Sequence, residues 1–341
     1  MKKNKIAKII WLCVIYVLAA VYSVVFFISV YKGPISIPIG IVGALLLYIL
    51  NALIHECGHL AAAKIYGFKP IKFSFSVFNF DFTQKKVKFY LRRSDYAGET
   101  DVVPTKSGNY IKRYTAVLIG GLAGGFLSFV LFALLFFIFA FNGYIAALFA
   151  SFPLVLASFL INMIPRLLPN SDGAFIVAVT DEKNRRSIDA YFEILYLLND
   201  GKTFAEMPSE LFFSRDMGDL MYQEAKLCEL MLAEEIGDRE KILSAANDLF
   251  TLEFRLEDVG RELVYAYSVL GDREKINALQ AEIASCDKAN DLRSKRALIA
   301  YAKLRDDEKY VEVAMPTALK ECKEWYLKGE GRFNEKLIEK I

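Results

Sequence analysis

His55-Glu56-Cys57-Gly58-His59 closes an almost continuously apolar run, Ile35 to Ile54, and holds the only two histidines of a 341-residue chain. Residues four apart on an α-helix share a face, so both imidazoles can reach one ion, with Glu56 beside them to move protons. No charge precedes Glu56 in this run, which makes the motif the final turns of a predicted membrane-spanning helix. Ionisable groups at that depth are costly and mark function.

On the N-terminal side, Lys2, Lys3, Lys5 and Lys8 precede an apolar run from Ile9 to Val30. It is too long for the apolar core of a cleaved signal and reads as a retained anchor whose basic end is cytoplasmic. The first span exits near Lys32-Gly33-Pro34 and the second returns from about Pro38. The 17 residues from Pro38 to His55 cover about 26 Å at 1.5 Å per residue, which puts the histidines in the inner leaflet.

On the C-terminal side, Gly67 to Arg113 is strongly basic, with Lys85, Lys86, Lys88, Arg92 and Arg93, and is expected in the cytoplasm. Phe73, Phe75 and Val77 alternate with polar residues, the parity slips at Phe78, Phe80 and Phe82, and Val87, Phe89 and Leu91 alternate again. This pattern predicts one β-hairpin with a bulge. Its aromatic face is open to three roles: packed core, membrane interface, or flank of the active site, where an edge strand can pair with an unwound substrate.

A third span is predicted from about Tyr114 to Phe141. Its Gly120-Gly121 and Gly124-Gly125 read as sites of tight helix packing. A fourth runs from about Tyr144 to Ile164 and ends in Asn162-Met163-Ile164-Pro165-Arg166-Leu167-Leu168-Pro169-Asn170-Ser171-Asp172-Gly173, where two prolines and Asp-Gly predict an unwound segment. A catalytic zinc takes three protein ligands and one open position, and the histidines supply two. Asp172 is the best third: the only acidic residue between Asp101 and Asp181, placed after a helix break on the same side of the bilayer. Zinc so held acidifies water, and Glu56 can take the proton and deliver it to a leaving amine.

These features resemble the site-2 protease family of intramembrane zinc metalloproteases. The resemblance rests on His55 to His59 within one span, the following hairpin and glycine-bearing span, and the Asn-x-x-Pro then Asp-Gly pattern from Asn162 to Gly173. It covers residues 1 to about 180. It implies that His55, His59 and Asp172 bind one Zn2+ per chain, that Glu56 is the general base, and that Asn162 helps position the substrate or its oxyanion. The third span departs from the family, carrying Gly120-Gly121-Leu122-Ala123-Gly124 where members often have Gly-Pro-x-x-Asn. No inserted segment has the size of a PDZ domain.

Charge separates the chain into halves. Through Gly173 there are 17 Lys/Arg against 6 Asp/Glu, and from Ala174 onward 25 against 34. The basic residues flank apolar spans and the acidic half would repel phosphate, so nucleic acid is excluded as a partner. Five scattered cysteines suit a reducing compartment. In the acidic half Gly237-Asp238-Arg239-Glu240-Lys241 recurs as Gly271-Asp272-Arg273-Glu274-Lys275 and, altered, as Arg305-Asp306-Asp307-Glu308-Lys309, each step being 34 residues. That is the period of the tetratricopeptide repeat, which the segment resembles in period and turn and which usually binds peptides or proteins.

The expectation is a mainly α protein: a polytopic membrane core of four spans and one cytoplasmic-side β-hairpin (residues 1–180), then an α-solenoid of tetratricopeptide-like helix pairs (181–341). It would be a multi-pass protein of a bacterial cell membrane, both termini cytoplasmic. Its expected activity is hydrolysis of membrane-embedded protein or peptide substrates, with a recruiting or regulatory protein on the repeats. The competing expectation is a catalytically silent anchor that organises partners through the repeats.

Overall fold

The computed structural model describes residues 2–83, 87–91, 98–165, 167–168, 171–219, 221–289 and 291–341. Lys85, Lys86, Arg92, Arg93, Arg166, Pro169 and Asn170, used in the sequence argument, lie outside the described residues. The protein is mainly helical, with one small sheet, and forms two compact units. The first comprises Met1–Asp81, Lys88–Val102 and Asn109–Glu182, and the second Phe82–Val87, Val103–Gly108 and Lys183–Ile341. The division expected at 180/181 therefore needs a correction. Two short segments group with the C-terminal helices because they bond to them: Tyr326 N–H donates to Thr83 O (3.0 Å) and the Ser107 hydroxyl to Glu193 (3.0 Å).

In the first unit, α1 (Lys2–Ser29) and α2 (Ser36–Ile65) are followed by β1 (Phe68–Phe75), β2 (Phe78–Asp81), β3 (Lys88–Leu91) and β4 (Gly98–Pro104), then α3 (Tyr110–Ile138), α4 (Gly143–Phe149), α5 (Phe152–Met163) and α6 (Asp172–Thr180). Four segments are long and apolar enough to cross a membrane: Lys8–Ser29, Ser36–Ile65, Tyr110–Ile138 and Gly143–Met163. Their apolar side chains are widely exposed, Ile28 at 65% and Leu45 at 61% for example, as suits lipid rather than water as solvent. The fourth segment is two helices rather than the single expected one. Pro153, in the first turn of α5, has no N–H to continue the ladder, so the chain breaks at Ala150-Ser151 and restarts.

The predicted bulged hairpin is a sheet of four strands in the order β3-β2-β1-β4. Strands β1–β2 and β2–β3 are antiparallel. The parity slip that suggested a bulge is a two-residue turn, Ser76-Val77, between the paired Phe75 and Phe78, with Ser76 at φ 54°. Such a turn reverses the chain without an extra strand residue. Phe73, Phe80 and Phe89 form one row across the sheet and Phe75, Phe78 and Leu91 the next.

Helices α2 and α3 share the most extensive contact of the unit. Arg113, near the start of α3, donates to the carbonyls of Tyr66 and Gly67 at the end of α2 (2.7 Å each), satisfying orphan acceptors of that terminus. Further along, the buried Ser128 hydroxyl donates to the Asn51 side chain, one turn before His55.

The second unit contains α7 (Glu182–Asp200), α8 (Tyr222–Ile236), α9 (Arg239–Phe250), α10 (Glu257–Leu270), α11 (Arg273–Ala278), α12 (Gln280–Ala289), α13 (Leu292–Leu304), α14 (Glu308–Glu324) and α15 (Lys328–Glu339). The repeat recurs in its bonding, the capping aspartates being spaced by 34 and then 35 residues. Asp238, Asp272 and Asp307 cap α9, α11 and α14, accepting from the backbone N–H three residues on. Arg239 donates to Leu270 O (3.1 Å) and Arg273 to Leu304 O (3.3 Å). Gly237 and Gly271 end α8 and α10 in the left-handed conformation, at φ 82° and 79°, as the turn requires.

The core of this unit encloses charge. Glu262 and Arg296 are fully buried and ion-paired, and Arg293 bridges Glu262 (3.5 Å), Glu330 (3.1 Å) and Asp258 (2.9 Å). Arg296 also stacks over Tyr265 and Phe333. Burial, and the Glu262 carboxylate beside it, push the buried Glu234 carboxyl well above the usual range.

Candidate metal centre

The continuous helix α2 carries His55, Glu56 and His59 in its last three turns, and the i, i+4 spacing brings both imidazoles to one face. Helix α5 ends at Met163, and Ser171 caps α6 by accepting from Ala174 N–H (3.3 Å). Asp172 thereby begins α6 and reaches the two histidines. Nε2 of His55, Nε2 of His59 and Oδ2 of Asp172 form a near-equilateral triangle with sides of 3.2, 3.2 and 3.4 Å.

That triangle tests whether the residues fit a metal. Ligand atoms about 2.05 Å from a tetrahedral ion stand about 3.3 Å apart, and the three sides agree with that spacing. The group is therefore able to hold a metal ion. His59 Nδ1 donates to the Val117 carbonyl of α3 (2.9 Å), which fixes the ring and the tautomer that presents Nε2 as the ligand atom. Burial alone would raise the Asp172 carboxyl; imidazoles in their protonated form would outweigh it and hold the group well below the usual carboxylate range.

Asn162 stands behind Asp172. Its side-chain carbonyl accepts from Asp172 N–H (3.0 Å), and its amide donates to Asp172 Oδ2 (2.9 Å) and lies 3.3 Å from His55 Nε2. Glu56 is 4% exposed, and its Oε2 accepts from the Thr100 hydroxyl of β4 at 2.5 Å. The glycines of α3 also belong to this region. A Cβ on Gly121 would overlap the His59 ring and one on Gly124 would meet the backbone of Ile54 and His55, so the close packing expected of them occurs at the imidazoles themselves.

Sequence reasoning brought His55, Glu56, His59, Asp172 and Asn162 to one place, and the structure gathers all five. It missed Thr100, Gly98 and the Val117 carbonyl. A hydroxyl in a polar strand 44 residues from its partner carries no local signal, nor does a backbone carbonyl. The sequence reading also passed over Asn51 and Ser128, polar residues within apolar spans.

Compared with known proteins, the chain matches no family model, no curated protein and no solved structure. Fold and site define it as a mainly helical protein with, among the described residues, four apolar helical segments long enough to cross a membrane and a His–His–Asp cluster able to hold a metal ion.

Proposed function

We propose that the protein is an intramembrane zinc metalloprotease that hydrolyses peptide bonds of membrane-embedded proteins or peptides near the cytoplasmic leaflet. The observation that carries the reading is the donor triangle of His55, His59 and Asp172, with Glu56 on the same helix. Two neutral nitrogens and one carboxylate oxygen are a donor set that zinc accepts, leaving a fourth position open. Zinc supplies Lewis acidity, which acidifies water at neutral pH and polarises a carbonyl. His55, His59 and Asp172 would hold it, and Asn162 orients Asp172 through both its carbonyl and one N–H of its amide. Glu56 accepts a proton from the attacking water and returns it to the leaving amine.

A substrate helix in lipid has its backbone internally bonded and must be unwound before cleavage. Substrates of this kind occur in regulated intramembrane proteolysis and in signal or pheromone peptide processing. The lysine distribution supports cytoplasmic termini. The 34-residue period, its aspartate caps and the repeated arginine–carbonyl bonds support a tetratricopeptide-like solenoid that recruits or regulates a protein partner.

Metal analysis and one variant test the reading. The full-length protein is expected to contain about one zinc per chain, and Glu56→Gln to keep the zinc while losing about 10²–10⁴-fold in cleavage. Protein free of zinc after refilling, or cleavage indifferent to Glu56, would leave the silent-anchor reading instead.

A further inference from the structure

Strand β4 passes directly over Glu56. The Thr100 hydroxyl donates to Oε2 at 2.5 Å, while Gly98, two residues earlier on the same face of the strand, lies against the other oxygen. A Cβ at Gly98 would overlap Oε1 and the carboxyl carbon. The two carboxylate oxygens therefore stand in different surroundings. One is held by a hydroxyl proton and the other faces a residue without a side chain.

We propose that Thr100 is a positioning residue for Glu56, fixing the carboxylate plane so that Oε1 is the oxygen that takes the proton, and that Gly98, lacking a Cβ, makes the room that the carboxylate itself occupies. The inference rests on the protease reading. A carboxylate buried at this depth needs a donor to stay ordered, and Thr100 supplies one without a charge that would quench the base. A hydrogen bond to Oε2 stops rotation about the Cγ–Cδ bond, so the remaining oxygen keeps one direction relative to the histidines of its own helix. Thr100 acts through Glu56, so its loss is expected to lower turnover while leaving substrate affinity unchanged.

The experiment uses full-length protein in liposomes. The probe is a synthetic single-span peptide bearing an Asn-Gly pair in the cytoplasmic-side third of its span. Thr100→Val keeps the shape and strand preference but removes the donor, and Thr100→Ser restores it. The expected result is a fall of about 10-fold in kcat for Thr100→Val, with KM and zinc content unchanged and Thr100→Ser close to wild type. Gly98→Ala should also lose turnover without losing zinc. An infrared difference spectrum, Thr100→Val minus wild type, should show a shifted carboxylate band that is missing when the same difference is taken in a Glu56→Gln background. Unchanged or faster cleavage by Thr100→Val overturns the proposal, as does a difference spectrum without that band. If wild type and Glu56→Gln both leave the peptide whole, it is the protease reading that fails for this probe, and the infrared result still decides whether Thr100 holds Glu56.

Discussion

Both units bury ionisable side chains, yet they do so in opposite ways. In the helical unit acids meet bases: Glu262 pairs with Arg296, and Arg293 with Glu262, Glu330 and Asp258. In the apolar unit two imidazole nitrogens and a carboxylate oxygen converge on one point, and the groups around them orient rather than neutralise. Burial of charge is thus no mark of function by itself. Convergence of electron-pair donors is.

The sharpest way to break this contrast is to remove one donor. Asp172→Ala takes away the anion of the triangle, and zinc affinity measured by competition with a chelator should fall by more than the roughly 10–100-fold typical of losing an outer partner. Arg296→Met tests the other side. It leaves Glu262 buried without its main partner and should cost about 3–5 kcal/mol in unfolding of the helical unit, whereas replacing both partners by apolar residues should be near neutral. The full-length protein in detergent, unfolded thermally and followed by circular dichroism, separates these outcomes.

Asn162→Ala comes next. Metal affinity should drop about 10–100-fold, less than for Asp172→Ala, because the ligand remains and only its orientation is lost. Equal losses for the two would make Asn162 a ligand in its own right. The smallest effect is expected at Glu234. Its carboxyl is pushed up by burial, so the folded state binds a proton that the unfolded chain releases above its ordinary value of 4.5. That contribution to stability is complete below 4.5 and is lost as pH rises through the raised folded value. Glu234→Gln should remove this dependence and raise the melting temperature at pH 8, by about 2–4 °C for each kcal/mol recovered, with little change at pH 4.

The site was readable where its parts are local. His55 and His59 share one helix face by spacing alone, and Asp172 stands out as a lone acid after a helix break. Asn162 drew attention as a residue positioning the substrate or its oxyanion; its bonds to Asp172 could not be read from the sequence, since a motif preserves a residue's place but not its hydrogen-bond partners. Thr100 was invisible because its contact with Glu56 depends on how β4 lies over α2, a tertiary relation. In the fold, the 34-residue period located the aspartate caps Asp238 and Asp272, missed the third by one residue, since Asp307 rather than Asp306 caps α14, and gave no sign of Asp291, which caps α13. The turn at Ser76-Val77 was misjudged because a tight turn and a bulge both shift the alternation by one. The Glu234–Glu262–Arg296 core was equally hidden, because charged residues on amphipathic helices ordinarily face solvent.

Arg113 and the Ser128–Asn51 pair give the arrangement a mechanical character. The first fastens the end of α2 to the start of α3, and the second joins the same helices 15 residues earlier along α2, a distance of about 22 Å. The histidine segment is thus a beam clamped at both ends. Sliding of α2 along α3 would have to break both clamps, so on the protease reading a substrate would enter through some other side of the unit.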